Sequence, residues 1–474
     1  MIWNLLFDGN KAMKRCDVAI VGGGPGGYVA ALRAAQLGAR TCVIEERELG
    51  GTCLNRGCIP TKSLLESARI YTEVQKGEQF GVSIQGASID FAQAALRKNE
   101  VVGRLRGGVE SLLKAAGVGV LAGRGSVLDA KVVAVSGSQE QEISASKIIL
   151  ASGSKPARPG FFPFDDDKVI TSDEILQWIE LPESLLIVGA GAVGVEFACI
   201  FAAFGVKVTL VEMMEQVLPG MDPDVARELY RALRRKRVVV HTGTKIERLE
   251  IRNQGIAAEV SQGETIEAEK ALISVGRQPC SQDLGLEALD IVLERGFIEI
   301  DEHLRTNIDN IYAIGDVTGK NLQAHLASRQ GEVAVENALG EEKVVNYDVV
   351  PACVFTEPEI GVVGLTEAQA LERGVEVKVG KFPFTASGKA QVLGETAGFV
   401  KIVGDGKSGQ ILGVHIIGPR ATDLIAIGVL AIELEATMES LAETVFAHPT
   451  ISEAVKEAAE DWLGRAIHLP QRKG

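Results

Sequence analysis

Cys53 and Cys58 stand in Gly50-Gly51-Thr52-Cys53-Leu54-Asn55-Arg56-Gly57-Cys58-Ile59-Pro60-Thr61-Lys62, close enough in sequence to cycle between a dithiol and a disulfide. A regular α-helix rises about 7.5 Å over five residues, whereas a disulfide holds its Cα atoms roughly 4.4–6.8 Å apart. If the two are bonded, the turn between them departs from regular helix, and Gly57 and Pro60 stand where such a distortion is needed. A strained or exposed disulfide is the labile, redox-active kind. Two unlinked cysteines and half of a zinc site are the other readings. Zinc needs further ligands at metal spacing, and the chain has no CxxC and no clustered histidines.

A dithiol couple needs an electron partner, and two segments offer dinucleotide sites. Asp17–Val21 reads as a buried strand, Gly22-Gly23-Gly24-Pro25-Gly26-Gly27 opens a helical pattern from Tyr28 to Gly38, and a second strand from Arg40 to Ile44 ends at Glu45. Gly22, Gly24 and Gly27 suit a tight turn with close backbone approach, the helix N-terminus suits a pyrophosphate, and Glu45 suits ribose hydroxyls. The order recurs in Leu185–Val188, then Gly189, Gly191 and Gly194, a helix through Phe204, and Lys207–Val211 ending at Glu212. Gly22 to Glu45 and Gly189 to Glu212 are each 23 positions apart (45 − 22 and 212 − 189). Two such units imply two bound dinucleotides, or a duplicated scaffold with one idle site. Flavin and nicotinamide fit the first case, because flavin mediates between hydride and dithiol electrons. A carboxylate at Glu212 repels a ribose phosphate, and Met213, Met214, Glu215 and Gln216 supply no arginine, so NAD is expected rather than NADP.

The 474 residues allow about three domains at ~150 residues each. Hydrophobic content of 46% and charged content of 24% are those of an ordinary globular protein. A net charge of −14 without a basic block argues against nucleic acid. Seven scattered cysteines do not make a secreted disulfide framework, so a cytoplasmic setting is expected. The longest apolar candidate, Leu424–Ile432, lies between Asp423 and Glu433 and is too short for a membrane span. Met1–Ala12 lacks the parts of a signal peptide and suggests no function.

From about Asp17 to beyond Glu453 the chain resembles the flavoprotein disulfide reductases, and most of all those acting on dihydrolipoamide. Thr306-Asn307-Ile308-Asp309-Asn310-Ile311-Tyr312-Ala313-Ile314-Gly315-Asp316 is similar to the family's second flavin motif. Ile149–Ser154 and Val275–Pro279 resemble its two crossovers, with Ser152 where threonine is usual. Phe446-Ala447-His448-Pro449-Thr450-Ile451-Ser452-Glu453 resembles its catalytic base segment, with Phe446 where many members have a second histidine.

The resemblance implies an α/β fold with two Rossmann-like dinucleotide-binding domains, for FAD and NAD, and a C-terminal α/β dimerisation domain. The expected divisions are 1–153 and 281–350 for the FAD-binding domain, 154–280 for the NAD-binding domain and 351–474 for the interface domain, opening with strands at Phe355–Glu359 and Val362–Glu367. It implies that FAD lies on Gly22, Gly24, Gly27, Glu45, Lys62, Gly315, Asp316, Ala324 and His325, and NAD on Gly189, Gly191, Gly194, Glu212 and Gly276. By the same resemblance Cys53 meets substrate, Cys58 meets flavin, His448 is the base polarised by Glu453, and Lys62 pairs with Glu196 beside the flavin. No metal is expected. Arg56 replaces a smaller apolar residue common at that place and is expected to be a solvated charge; turned inward, it could lower a thiol pKa. The implied reaction is oxidation of protein-bound dihydrolipoamide to lipoamide by a homodimer. Its partners would be lipoyl domains of 2-oxo acid dehydrogenase complexes or the glycine cleavage system. The alternatives are another NAD(P)H-dependent disulfide or mercuric ion reductase and, in a different class, a lipoyl-complex scaffold with a vestigial redox site.

Overall fold

The computed structural model describes residues 14–137 and 140–470, and Met1–Ala12 lies outside them. The described residues form two compact units, one of 14–63, 92–157 and 276–345, the other of 64–91, 158–275 and 346–470.

In the first unit, strand β1 (Lys14–Val21) leads through the glycine turn to helix α1 (Pro25–Gln36) and strand β2 (Thr41–Glu45). The helix starts at Pro25 rather than Tyr28, because proline's fixed φ and missing N–H suit a first helical turn. Val18, Ala19 and Ile20 are fully buried, as expected of a parallel strand covered on both faces. β1 pairs in parallel with β2 on one side and with 141–150 on the other. Residues 119–122 extend the sheet beyond β2, and 311–313 pair with the end of 141–150. The sheet order therefore reverses at β1, and ligands of open α/β sheets bind beyond the carboxyl ends of strands at such a reversal.

The second unit holds a parallel sheet in the order 239–241, 207–211, 184–188, 270–273, 169–170, followed in the chain by an antiparallel sheet in the order 352–354, 359–364, 411–418, 399–405, 377–383. The helices Ala421–Glu433 and Glu453–Leu463 share one apolar core with that antiparallel sheet, including Val400, Ile402, Val414, Ile416 and Trp462. The apolar run Leu424–Ile432 falls within the first of these helices, and no helix among the described residues is long and apolar enough to cross a membrane.

One expected strand is absent. Phe355–Pro358 is a turn between the strands Ala352–Val354 and Glu359–Gly364, in which the Thr356 hydroxyl donates to the Pro358 carbonyl at 2.7 Å. Proline has no N–H for a sheet ladder, so the sheet resumes only at Glu359. The second expected strand ends at Gly364, and Glu367 begins a helix capped by Thr366.

Candidate active site

The first glycine turn is tight for steric reasons. Gly22 has φ +107°, and a Cβ there would lie 2.2 Å from the Ala151 carbonyl oxygen. A Cβ on Gly27 would lie 1.9 Å from the Gly22 carbonyl oxygen, so any side chain there would push α1 off the strand. Gly24 caps α1 without a side-chain hydrogen bond and leaves first-turn amides available to an anion. Glu45 accepts from the Gly23 amide at 2.6 Å and from the Arg47 amide at 2.8 Å, so the acid closing the motif also braces its turn.

The second unit repeats this geometry internally. Gly189 has φ +101°, a Cβ on Gly194 would meet the Gly189 carbonyl oxygen at 1.9 Å, and Gly191 faces open space. The helix Ala192–Ala203 begins without a side-chain cap. Glu212 is buried and accepts from the amides of Ala190 at 2.7 Å and Met214 at 2.9 Å.

Cys53 and Cys58 are disulfide-bonded with Cα atoms 4.7 Å apart. The helical path breaks between α2 (Gly51–Arg56) and α3 (Cys58–Gln75), where Gly57 adopts φ −147°, ψ −106°. The departure from regular helix falls at the glycine singled out by the spacing. Pro60 lies in the first turn of α3, where its missing N–H costs nothing. The disulfide helix is tied to the first glycine turn: the Gly50 amide donates to the Gly23 carbonyl at 2.8 Å, and a Cβ on Gly51 would lie 2.6 Å from Gly24 Cα.

Arg56 is not a solvated charge. Its side chain is 18% exposed and its Nη1 donates to Glu48 Oε2 at 2.5 Å, which joins α2 to the loop before it. Asn55 Nδ2 donates to the carbonyls of Leu49 and Gly51, each at 3.0 Å. Lys62 is half-buried on α3.

The second flavin motif ends in the strand Ile311–Ala313 and a short turn of helix, Gly315–Thr318. Asp316 Oδ2 accepts from the Ser154 hydroxyl at 2.5 Å, and Arg277 Nε donates to that same hydroxyl at 2.7 Å. The two crossover segments run antiparallel, with Pro279 opposite Ser154, and Gly276, just before them, has φ +122°. The Gly315 amide donates to Gln330 Oε1 at 2.7 Å. The helix Ala324–Ala338 packs tightly on α1, since a Cβ on Gly331 would lie 2.5 Å from the Gly26 carbonyl oxygen. Ala324 and His325 form its first turn, which has no side-chain cap, and His325 is exposed. Asn55 Oδ1, Ser152 Oγ and Gln323 Oε1 are buried without a hydrogen-bond partner. Buried polar atoms normally find partners, so these three, with the uncapped helix starts, fit a polar cofactor.

In the second unit, His448 Nδ1 and Glu453 Oε1 are 2.9 Å apart, and Glu453 Oε2 accepts from the Thr450 amide at 2.9 Å. Burial works to raise the Glu453 carboxyl, but the Thr450 amide and His448 outweigh it and hold it below the usual range. The carboxylate therefore fixes an Nδ1–H tautomer and leaves Nε2 as the basic nitrogen. His448 is 78% exposed, whereas Phe446 packs against the apolar core. Glu196, on the helix Ala192–Ala203, is buried and accepts from the Phe355 amide at 2.9 Å.

Nothing in the chain's spacing marked Glu48 as the partner of Arg56 or Gln330 as the partner of Gly315. Ser154 and Arg277 stood in the crossover segments, but nothing in their spacing joined them to Asp316. Among the described residues no group of three or more His, Cys, Asp or Glu could hold a metal ion.

Comparison with known proteins gives a consistent picture. The family described as pyridine nucleotide-disulphide oxidoreductase matches residues 16–331, and its dimerisation domain matches residues 350–459. The chain is 43% identical to a dihydrolipoyl dehydrogenase of Bacillus subtilis over 469 residues, covering 96% of this chain and 99% of that one. It is likewise 43% identical to a dihydrolipoyl dehydrogenase of Halobacterium salinarum over 465 residues, covering 96% and 98%. Among solved structures, LpdA from Mycobacterium tuberculosis aligns with a TM-score of 0.89 at 29% identity, covering 94% of this chain and 99% of that one. The HOCl-induced flavoprotein disulfide reductase RclA from Escherichia coli, as its Cu(II) complex, aligns at 0.86 with 31% identity, covering 94% and 99%.

Proposed function

The chain belongs to the pyridine nucleotide-disulphide oxidoreductases, and from that premise we infer that it oxidises dihydrolipoyl groups through the Cys53–Cys58 disulfide, with FAD and NAD as cofactors. The observation that carries this reading is the tether of the disulfide helix to the first glycine turn, Gly50 to Gly23 at 2.8 Å. It joins thiol chemistry to a dinucleotide cradle within one unit. A vestigial scaffold has no need of an intact disulfide on that cradle.

FAD is held by the Gly22–Gly27 turn and Glu45, by Asp316 with Gly315, and by the first turn at Ala324 and His325. NAD is held by Gly189, Gly191, Gly194 and Glu212 with Gly276. When bound, FAD would supply a two-electron acceptor for the dithiol and NAD the final hydride acceptor.

The protein's own groups carry the thiol steps. A dihydrolipoyl thiolate attacks Cys53 Sγ; the new S–S bond forms as the Cys53–Cys58 bond breaks, and Cys58 leaves as a thiolate. The second substrate thiolate then attacks the substrate sulfur joined to Cys53, which closes the lipoyl disulfide and releases Cys53 as a thiolate. Free thiols have pKa about 8.5, so each attack needs a base, and His448 Nε2 receives the protons while Glu453 stabilises the charged ring. Lys62 would supply a positive charge to FAD.

The dimerisation domain spans residues 350–459. The protein acts as a homodimer in which His448 serves the disulfide of the other subunit. Lipoyl domains of 2-oxo acid dehydrogenase complexes or of the glycine cleavage system present the substrate, in the cytoplasm.

The test is an anaerobic reaction of the purified flavoprotein with dihydrolipoamide followed by NAD. Stoichiometric NADH, read at 340 nm, is expected. A flavin reducible by NADH but indifferent to dihydrolipoamide would redirect the assignment to another disulfide or a metal ion as substrate.

A further inference from the structure

We propose that Cys16 and Cys42 are a second thiol pair, which closes to a disulfide when the protein meets a hydroperoxide. Cys16 lies near the start of β1 and Cys42 in β2, and their Sγ atoms are 3.4 Å apart. A disulfide needs about 2.0 Å between sulfurs, so closing the bond draws the two sulfurs together by about 1.4 Å.

The contact is set by the strands. The Arg40 carbonyl accepts from both the Asp17 and the Val18 amides, at 2.7 and 3.2 Å. Val18 lies opposite Thr41 in the register, so the shared carbonyl holds the start of β2 against β1. Asp17 locks this place: its carboxylate accepts from the Arg40 amide at 2.8 Å and from Nε and Nη2 of Arg40 at 3.2 and 2.9 Å. The two sulfurs are thus held by an ion pair one residue from Cys16 and two from Cys42.

The pair has a way in. Cys16 is half-buried, Cys42 is buried, and both line a surface cleft with Lys14, Arg15, Arg40 and Ile143. Contact with Cys16 and burial push the Cys42 thiol well up, and Cys16, the more exposed of the two, is the sulfur a hydroperoxide reaches first. The cations lining the cleft suit a departing oxyanion.

The step balances as follows. The Cys16 thiolate attacks a peroxide oxygen; an S–O bond forms, the O–O bond breaks, and an alcohol or water leaves. The Cys42 sulfur then attacks the Cys16 sulfenic acid; the S–S bond forms, the S–O bond breaks, and water departs with the Cys42 proton. Two thiols are oxidised and one hydroperoxide is reduced. Cys199 is a contrast within the same chain, a buried thiol whose pKa burial pushes up to about 11.

Trypsin, cutting after Arg15, Arg33, Arg40 and Arg47, isolates the two cysteines on peptides 16–33 and 41–47. Oxidised holoenzyme, with Cys53–Cys58 already closed, is exposed to hydrogen peroxide, alkylated in denaturant and digested without reductant. The expected result is a linked 16–33/41–47 species by mass spectrometry, with two of the five free thiols lost. Separate alkylation of both cysteines, or Cys16 found as sulfinic acid with no link, would overturn the proposal. In Cys42→Ser, dimedone is expected to label Cys16, and an unlabelled Cys16 would overturn its role as the attacking sulfur. The peptide map on the unaltered protein stands whether or not that variant folds.

Discussion

Glu45 Oε2 accepts a hydrogen bond from the Gly23 amide at 2.6 Å, and Glu212 Oε2 does the same for the Ala190 amide at 2.7 Å. In each unit the acid that ends the second strand of the motif holds the glycine turn that follows the first. The acid therefore shapes the cradle before any ribose reaches it. Glu45→Ala leaves the Gly23 amide short of a partner, a loss of about 1–3 kcal/mol, and is expected to lower FAD retention. The ratio of absorbance at 280 and 450 nm after gel filtration measures this, and an unchanged ratio would refute the bracing role.

The two cradles are separable by steric means. A methyl at Gly194 meets the Gly189 carbonyl oxygen at 1.9 Å and has no flexible neighbour to displace. Gly194→Ala is expected to stay yellow and to reduce a dye with dihydrolipoamide, but to form NADH at least about tenfold more slowly, by a loss of ~1.4 kcal/mol or more. Gly27→Ala is expected to lose the flavin itself. Equal loss of colour in both variants would contradict the assignment.

Cys53→Ser keeps the cradle and removes the sulfur that meets substrate. Flavin content near that of the unaltered protein is expected, with no oxidation of dihydrolipoamide. Full activity would remove Cys53 from the role proposed for it.

Replacing His448 removes the proton acceptor. His448→Gln is expected to slow dithiol exchange by about 10²–10⁴-fold, the usual contribution of a positioned acid–base group, with flavin content unchanged. Glu453→Gln keeps the ring and loses its counter-charge, so the smaller rate loss should come with the base-dependent limb of the pH–rate profile shifted to lower pH, because the charged ring is no longer stabilised. The Glu453 carboxyl lies below its ordinary value in the folded protein. Its stabilising contribution is therefore present above the unfolded pKa of about 4.3 and lost as pH falls through the folded value. A pH–rate profile unaltered in both variants would exclude the pair from catalysis.

Lys401 joins two parts of the second unit. Its side chain is 5% exposed and its Nζ lies 2.8 Å from Asp222, whose side chain is fully buried, and 3.4 Å from Asp224. Lys401→Met strands Asp222 and is expected to cost about 3–5 kcal/mol, read by urea denaturation. Burial works to lower the Lys401 ammonium, but the carboxylates outweigh it and raise it. That contribution is present below the unfolded pKa of about 10.4 and is lost as pH rises through the folded value. A midpoint equal to that of the unaltered protein would show the network to be neutral.

Much of this was readable in the chain because some backbone conformations admit few residue types. Gly22 and Gly189 at positive φ, and Gly27 and Gly194 with no room for a Cβ, leave a mark in the sequence at fixed spacing. The break at Gly57 was foreseeable from the reach of a disulfide alone. The strand that the resemblance implied at Phe355–Glu359 is a turn up to Pro358, because proline cannot donate to a sheet ladder. Arg56 was misread because nothing in its own segment marks Glu48, eight residues earlier, as its partner.

The sequence by itself determined two dinucleotide cradles, a cysteine pair and a histidine five residues from its carboxylate, all features whose partners lie within one short stretch of chain. Only the tertiary structure decided which distant groups meet. Ser154, Arg277 and Asp316 come from three segments to form one cluster, Gly50 reaches Gly23 to tie the disulfide helix to the cradle, and Cys16 rests against Cys42 across two strands. Such meetings follow from sheet register and packing, which many residue types satisfy, and so they leave no spacing to be read in the chain.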